Sequence, residues 1–316
     1  MKKISRLMSL LLVIILVLPA ATLLQAEENM AGGLVEMVSD GAQEAPSGAE
    51  PTIGSAKTNT TYTVYISGID NRGDLIEKSR SDVNIIATLN SDTKQCLLVN
   101  TPRDYFVPLS ISGGVPDKLT HAGIYGVQVS MDTLGMLYDR DIIYYFRINF
   151  GGFQDLIDSL GGITVWSDFT FDARGCTFYE GWNDLDGEAA LVFARERYSF
   201  ASGDRQRGKN QMAVIKAVVK KLMEGNTAAN LTNVLGMMGT LFETNIPLTD
   251  ILAFASGALS DPDEWNIVSY SVDGTGDTQV PYSMSQAAYV MVPDMSTVEH
   301  AKELMDQVLR GEVPEA

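Results

Sequence analysis

Histidine is almost missing from this chain: among 316 residues only His121 and His300 occur. They stand too far apart in sequence for a local zinc motif, which argues against a histidine-based metal site. Cysteine is equally scarce, and neither Cys96 nor Cys176 has metal-ligand spacing around it. Two readings stay open for the pair: a disulfide if the chain is exported, or two separate thiols with Cys96 buried in a strand. Positive charge is in deficit, with 23 Lys and Arg against 40 Asp and Glu, a net charge of −17 and a pI of about 4.4. Such a chain is poorly matched to nucleic acid, whose backbone rewards a broad basic surface. A phosphorylated substrate would require cations gathered locally against the global charge. Glycine and proline, at 28 and 11 residues, are too few for a fibre or for wholesale disorder.

The 45% hydrophobic content suffices for one large or two modest domains. Lys2, Lys3 and Arg6 precede an uncharged run, Leu7 to Ala26, whose centre from Leu10 to Leu18 is wholly aliphatic. A basic flank before an apolar run marks a segment entering a membrane with its N-terminus inside. Residues 1–6 are thus expected to be a cytoplasmic tail and 7–26 a membrane anchor or a signal peptide cut after Ala26, since a spanning helix needs about 20 apolar residues. From 27 to 60 the chain mixes Glu27, Glu28, Glu36, Asp40, Glu44 and Glu50 with small residues, the composition of a solvated linker. The folded domain is expected over 61–316.

Within it, residues 61–69, 83–89, 96–99, 142–150, 163–166 and 265–272 read as strands, rich in β-branched and aromatic residues. Helices are expected over 153–160, closed by Gly161-Gly162, and over 187–193, 209–223, 229–242, 249–257 and 296–309. Strands alternating with helices predict an α/β or α+β domain with a mixed central β-sheet flanked by helices.

Four polar clusters lie at the ends of apolar elements, where scaffolds present reactive groups. Asp70 follows the first strand and Asp82 opens the next. Two carboxylates at one strand end suit a hard cation such as Mg²⁺, although loop aspartates are usually turn or cap residues. Arg103 follows the third strand. From Arg195 to Lys209 there are five cations, Arg195, Arg197, Arg205, Arg207 and Lys209, against only Glu196 and Asp204. Arginine dominates there, as bidentate phosphate recognition prefers. Tyr144, Tyr145, Phe146, Phe150 and Phe153 crowd one segment beside Leu156 and Ile157; core packing explains them, and an apolar groove for a lipid tail is the sharper reading.

Taken in order, the stretches GIDNR (68–72), RSDVNIIATLN (80–90), VNTPRDYFVPL (99–109), KLTHAGIYG (118–126), YYFRINFGGFQDLIDSLGGITV (144–165), LDGEAALVFARER (185–197) and GDRQRGKNQ (203–211) resemble the LytR-CpsA-Psr family. The resemblance runs from about residue 61 to 224 and more loosely beyond. It implies a domain with an apolar lipid groove, on an enzyme outside the membrane. That enzyme would be a phosphotransferase moving a glycopolymer, such as a teichoic acid or capsular polysaccharide, from an undecaprenyl-pyrophosphate carrier to peptidoglycan. The implied metal ligands for Mg²⁺ or Mn²⁺ are Asp70 and Asp82; the implied pyrophosphate ligands are Arg103, Arg195, Arg197 and Arg207, with Asp204 and Gln211 as further polar residues. Asp204 is the candidate general base, acting with Arg195 and Arg207. Many members carry Arg-Gln where this chain has Asn210-Gln211. The implied partners are the polyprenyl-linked polymer, peptidoglycan and the cytoplasmic membrane, with a single-pass, outward-facing protein, or a secreted one if 1–26 is cleaved. The competing readings are a polyprenyl-pyrophosphate hydrolase and a non-enzymatic regulator that binds anionic lipid.

Overall fold

The computed structural model of the chain describes residues 60–70, 79–223, 242–247, 250 and 265–315. The apolar run 7–26, the linker up to residue 59 and nearly all of the helices expected over 229–242 and 249–257 lie outside the described residues. Phe242 opens a short strand instead of ending a helix.

The alternating apolar residues of Thr61–Ile69 (β1), Ser81–Asn90 (β2) and Gln95–Asn100 (β3) form an antiparallel meander. Tyr144–Asn149 (β6) lies parallel to β1, and Asn266–Ser271 (β12) parallel to β3. Phe242–Thr244 (β11) closes the other edge, giving one six-stranded mixed sheet in the order β11-β6-β1-β2-β3-β12. Its central strands are apolar on both faces, as a sheet covered on both sides requires. Val64, Ile66, Ile85, Ala87, Cys96 and Leu98 face one core, while Tyr65, Ile86, Leu97 and Val99 face the other. This is the two-residue alternation of a strand.

On the first face pack Phe150–Ser159 (α3), Gly187–Arg195 (α4) and Asp204–Met223 (α5). On the second pack Leu119–Tyr125 (α1), Val127–Tyr138 (α2) and Met295–Arg310 (α6). In α6 the buried Val298, Ala301, Leu304, Met305 and Val308 recur at helical spacing, Asp294 caps the start, and Gly311 at φ 82° ends it. Helices α1 and α2 were not foreseen. The α1 sequence Leu-Thr-His-Ala-Gly-Ile-Tyr has small and polar residues on buried positions, so it lacks the apolar stripe that announces a helix. Four small two-stranded sheets complete the fold: Phe106–Pro108 (β4) with Pro116–Lys118 (β5), Ile163–Ser167 (β7) with Gly181–Leu185 (β10), Phe171–Ala173 (β8) with Cys176–Phe178 (β9), and Gly274–Gln279 (β13) with Ala288–Pro293 (β14). Cys96 and Cys176 are both free thiols, Cys96 wholly buried in the core.

Strand direction decides where a site can be. β1, β3, β6 and β12 all run the same way. Their carboxyl ends therefore share one edge, the place where open α/β sheets bind ligands. There the chain places Asp70 after β1, Thr101-Pro102-Arg103-Asp104 after β3, and the start of α3 after β6.

The approach to Asp82 depends on a close contact. A Cβ on Gly123 of α1 would lie 2.5 Å from the Ser79 carbonyl and 2.9 Å from the Ser81 nitrogen. Gly123→Ala is expected to lower stability by about 1–3 kcal/mol, the usual cost of overpacking. Urea denaturation would measure this, and an unchanged midpoint would show that the contact does not constrain the segment.

Candidate active site

Asp70 and Asp82 are brought together by the β1–β2 pairing. The register shifts between Gly68 and Ile69, and the Asp70 amide donates to the Arg80 carbonyl at 3.0 Å, so the connection begins and ends at one point. Burial pushes the Asp82 carboxyl above the ordinary carboxylate range; Arg103 opposes that rise and the charge of Asp70 adds to it. Two carboxylates that repel each other suit a shared cation. Among the described residues no group of three or more His, Cys, Asp or Glu could hold a metal. A cation at Asp70 and Asp82 would therefore take its remaining oxygens from a phosphate and water, the habit of Mg²⁺.

Arg103 donates through Nη1 to Asp82 Oδ1 at 2.5 Å, whereas its adjacent Asp104 is 4.0 Å from Nε. That Nε is buried without a hydrogen-bond partner, a donor left for something else to satisfy.

Arg195 is the last residue of α4, because the Glu196 amide still closes a turn onto the Val192 carbonyl. A helix over 187–193 leaves Arg195 and Arg197 in extended or turn backbone, and the extended form would put both side chains on one face. The helix runs two residues further, to Arg195, and its C-cap Glu196 is extended. Arg195 accordingly turns to β1, with Nη2 3.6 Å from Asp70 Oδ1 and its guanidinium 4.0 Å above the Phe150 ring. Arg197 turns the other way, with Nη1 3.3 Å from Asp204 Oδ1 and 3.6 Å from Asp104 Oδ2.

The helix α5 begins at Asp204, not near Lys209, which puts Asp204 and Arg207 in its first turn. Arg207 Nη2 donates to Asp204 Oδ2 at 2.8 Å. Burial lowers the pKa of Arg207, Asp204 opposes this, and neighbouring Arg103 adds to it; an arginine stays charged regardless. Gln211 follows one turn later and is buried. Asn210 is also buried and donates to the Phe193 carbonyl at 3.2 Å, so the residue that departs from the family pattern ties α5 to α4. Of the other cations in the run, Arg205 pairs with Asp273 at 2.7 Å and Lys209 is exposed.

Sequence reasoning missed Asp104 as a component of the site. It is 3% exposed and accepts from Lys118 Nζ at 3.1 Å. The signal was its position in the same loop as Arg103. The four arginines 103, 195, 197 and 207 are thus interleaved with four aspartates, 70, 82, 104 and 204. These eight side chains balance, and Lys118 adds one positive charge at Asp104.

Behind the arginines runs an apolar groove of about 290 Å³. Ile66, Val83 and Phe146 form its floor on the sheet, and Phe153, Leu191, Val214 and Val218 its walls on α3, α4 and α5. Arg103, Arg195, Arg197, Arg207 and Gln211 line its polar end. From the aromatic segment, Phe146, Phe150, Phe153 and Leu156 line the groove, while Ile157 is core and Tyr145 lies against the opposite one.

The sequence pattern of the LytR_cpsA_psr family matches residues 29–306. A curated relative from Enterococcus faecalis, a polyisoprenyl-teichoic acid–peptidoglycan teichoic acid transferase TagU, is 35% identical over 196 residues, covering 61% of this chain and 64% of the relative. The chain therefore spans a little under two thirds of that protein. The crystal structure of B. subtilis TagV superposes with a TM-score of 0.67 at 25% identity, over 79% of this chain and 98% of that one. The Lin1025 protein of Listeria innocua gives 0.62 at 27%, over 80% and 99%.

If the arginines grip an anion by their planar forks, lysine will not replace them. Arg207→Lys and Arg195→Lys are each expected to weaken binding of a short-chain prenyl pyrophosphate roughly tenfold or more, as loss of a charge-assisted hydrogen bond would. Calorimetric titration beside the alanine variants decides it: lysine variants equal to wild type would mean that the cluster only attracts anions.

Proposed function

The chain belongs to the LytR_cpsA_psr family, and we propose that it transfers a glycopolymer, together with one phosphate, from polyprenyl pyrophosphate to a hydroxyl of peptidoglycan. The observation that carries this reading is the arginine cluster at the mouth of an apolar groove. That shape fits an amphiphile with an anionic head and an apolar tail. The activity in the name of the Enterococcus relative is of this kind. Teichoic acid is accordingly the polymer class the comparison favours.

The bound pyrophosphate would span the mouth of the groove with its prenyl chain inside. A divalent cation, Mg²⁺ or Mn²⁺, at Asp70 and Asp82 would supply charge neutralisation on the phosphates. The near balance of cations and aspartates supports this, because an entering pyrophosphate diester would otherwise leave the cluster net negative. Arg103, Arg197 and Gln211 orient the head group. Arg195 and Arg207 face the negative charge that gathers on the leaving phosphate, already held in place by their aspartates.

In the step itself the acceptor oxygen bonds to the phosphorus that carries the polymer. The bond from that phosphorus to the bridging oxygen breaks, and polyprenyl phosphate leaves with the electron pair. The hydroxyl proton passes to the Asp204 carboxylate. A loose phosphoryl transition state needs little activation of the nucleophile, so a carboxylate that already accepts from two guanidiniums suffices for a late proton transfer. A binder without chemistry would have no use for Asp70 beside Asp82.

The same reading places residues 1–6 inside the cell, 7–26 as the membrane anchor, 27–60 as a spacer and 61–316 as the outward-facing catalytic domain. Among the described residues no helix is long and apolar enough to cross a membrane; the anchor segment lies outside them.

Asp70→Ala and Asp82→Ala are each expected to lower Mg²⁺-dependent release of polyprenyl phosphate by roughly a hundredfold or more. Asp70 is well exposed, so its loss should change stability by no more than about 0.5 kcal/mol. Asp82→Ala should cost more, because it strands Arg103. Wild-type turnover in both variants would remove the cation from the mechanism.

A further inference from the structure

A second cavity, of about 660 Å³, adjoins the first. It meets the groove at Arg103, Arg197 and Tyr198, and the two share no other lining residue. Its walls come from elements the groove does not touch: Lys118 at the end of β5, the turn before α5, and Gly274, Gly276 and Tyr289 of the β13–β14 hairpin. The groove is walled by apolar side chains, whereas this cavity mixes apolar Phe200, Ala201 and Met291 with hydrogen-bonding groups of both kinds, Lys118 and Arg205 as donors and Asp104 and Asp204 as acceptors. Tyr289 adds a half-exposed ring, which presents an apolar body beside a polar tip. A Cβ on Gly276 would stand 3.0 Å from that ring and 3.2 Å from its hydroxyl. Glycine at this position lets the ring lie across the neighbouring strand and leaves the cavity floor open.

Building on the transferase reading, we infer that this second cavity is the subsite for the acceptor, a polyhydroxylated glycan of the wall. In-line displacement fixes its position. The prenyl chain lies in the groove, so the leaving phosphate lies on the groove side of the arginines. The attacking oxygen must approach the polymer-bearing phosphorus from the face opposite the bridging oxygen that departs. Beyond Arg103 and Arg197, that face is this cavity. Asp204, which takes the proton, lines this cavity and not the groove. The mixed donors and acceptors match sugar hydroxyls, which both give and accept hydrogen bonds. Tyr289 is a positioning residue for the glycan, and Gly276 keeps its place open.

The test uses the full chain in vesicles with a lipid-linked polymer donor, and soluble peptidoglycan oligosaccharides as acceptor. Tyr289→Ala and Gly276→Leu are expected to raise the KM for the acceptor roughly tenfold or more. Affinity for the donor and the slow release of polyprenyl phosphate to water should stay at wild-type values, which also shows that both variants are folded. Wild-type acceptor KM in both variants overturns the assignment. An equal loss of donor affinity overturns it too, because the cavity would then hold the donor's own sugars. Failure of the transferase reading looks different: the wild-type protein would release no polyprenyl phosphate with or without acceptor.

Discussion

Asp204 accepts from Arg197 with one carboxylate oxygen and from Arg207 with the other, and the site rests on that bridge. Four guanidiniums crowded at one sheet edge would repel each other, and burial would add a desolvation cost for each. Interleaved aspartates remove both problems. They also fix each planar fork before any ligand arrives, so little reorganisation is left for the moment of reaction. The bridge in turn dictates backbone. Asp204 and Arg207 must sit three residues apart on a helix, and that helix must start at the sheet edge where β3 ends. The close approach of Gly208 to Asn100, where a Cβ would lie 2.6 Å from the Asn100 side-chain amide, shows how tightly α5 is drawn there.

The groove and the polar cluster are two consequences of the same strands. The face of β1, β2 and β6 that carries Ile66, Val83 and Phe146 turns towards α3, α4 and α5, which stand far enough apart to leave apolar surface uncovered. At the site edge the chain leaves or enters the sheet on polar residues, Asp70 after β1, Arg80 before β2 and Asn149 at the end of β6. An apolar trough that ends in charges follows from element boundaries. Its depth is set by the helices and its head by the loops.

The strand cores were legible because their chemistry is local. Residues 61–69 form the strand their β-branched and aromatic content predicts, and the two-core division of the sheet follows from alternation. The candidate residues Asp70, Asp82, Arg103, Arg195, Arg197, Asp204, Arg207 and Gln211 do meet at one sheet edge. Their pairing was not legible. Nothing in the sequence announces that Arg103 prefers Asp82 over its neighbour Asp104, and Arg195 and Arg197 part company at a helix end two residues later than the sequence suggested. Helices α1 and α2 escaped notice because Thr120, His121, Ser130 and Thr133 are buried polar residues; His121 meets Asp117 and Ser283, and Thr133 accepts from the Ser110 amide, contacts that no periodicity announces. The hairpin β13–β14, which carries Tyr289, has a largely polar first strand and shows the same limit.

Chain order also governs when the site can exist. The meander β1–β2–β3 is built from near neighbours and can close as soon as its residues are available. The edge strand β12 cannot: the Asn100 side chain meets Ser271 across 171 residues of sequence. Pairing over such distances is slow, because loop-closure entropy must be met before the contacts return anything. Until α4 and α5 dock, Asp70, Asp82 and Asp104 have only Arg103 and Lys118 of the site's cations beside them, so that edge is net negative. A chain emerging from its N-terminus therefore passes through a stage in which these carboxylates are present without Arg195, Arg197 and Arg207. The full set of four arginines therefore exists only once α4 and α5 have docked.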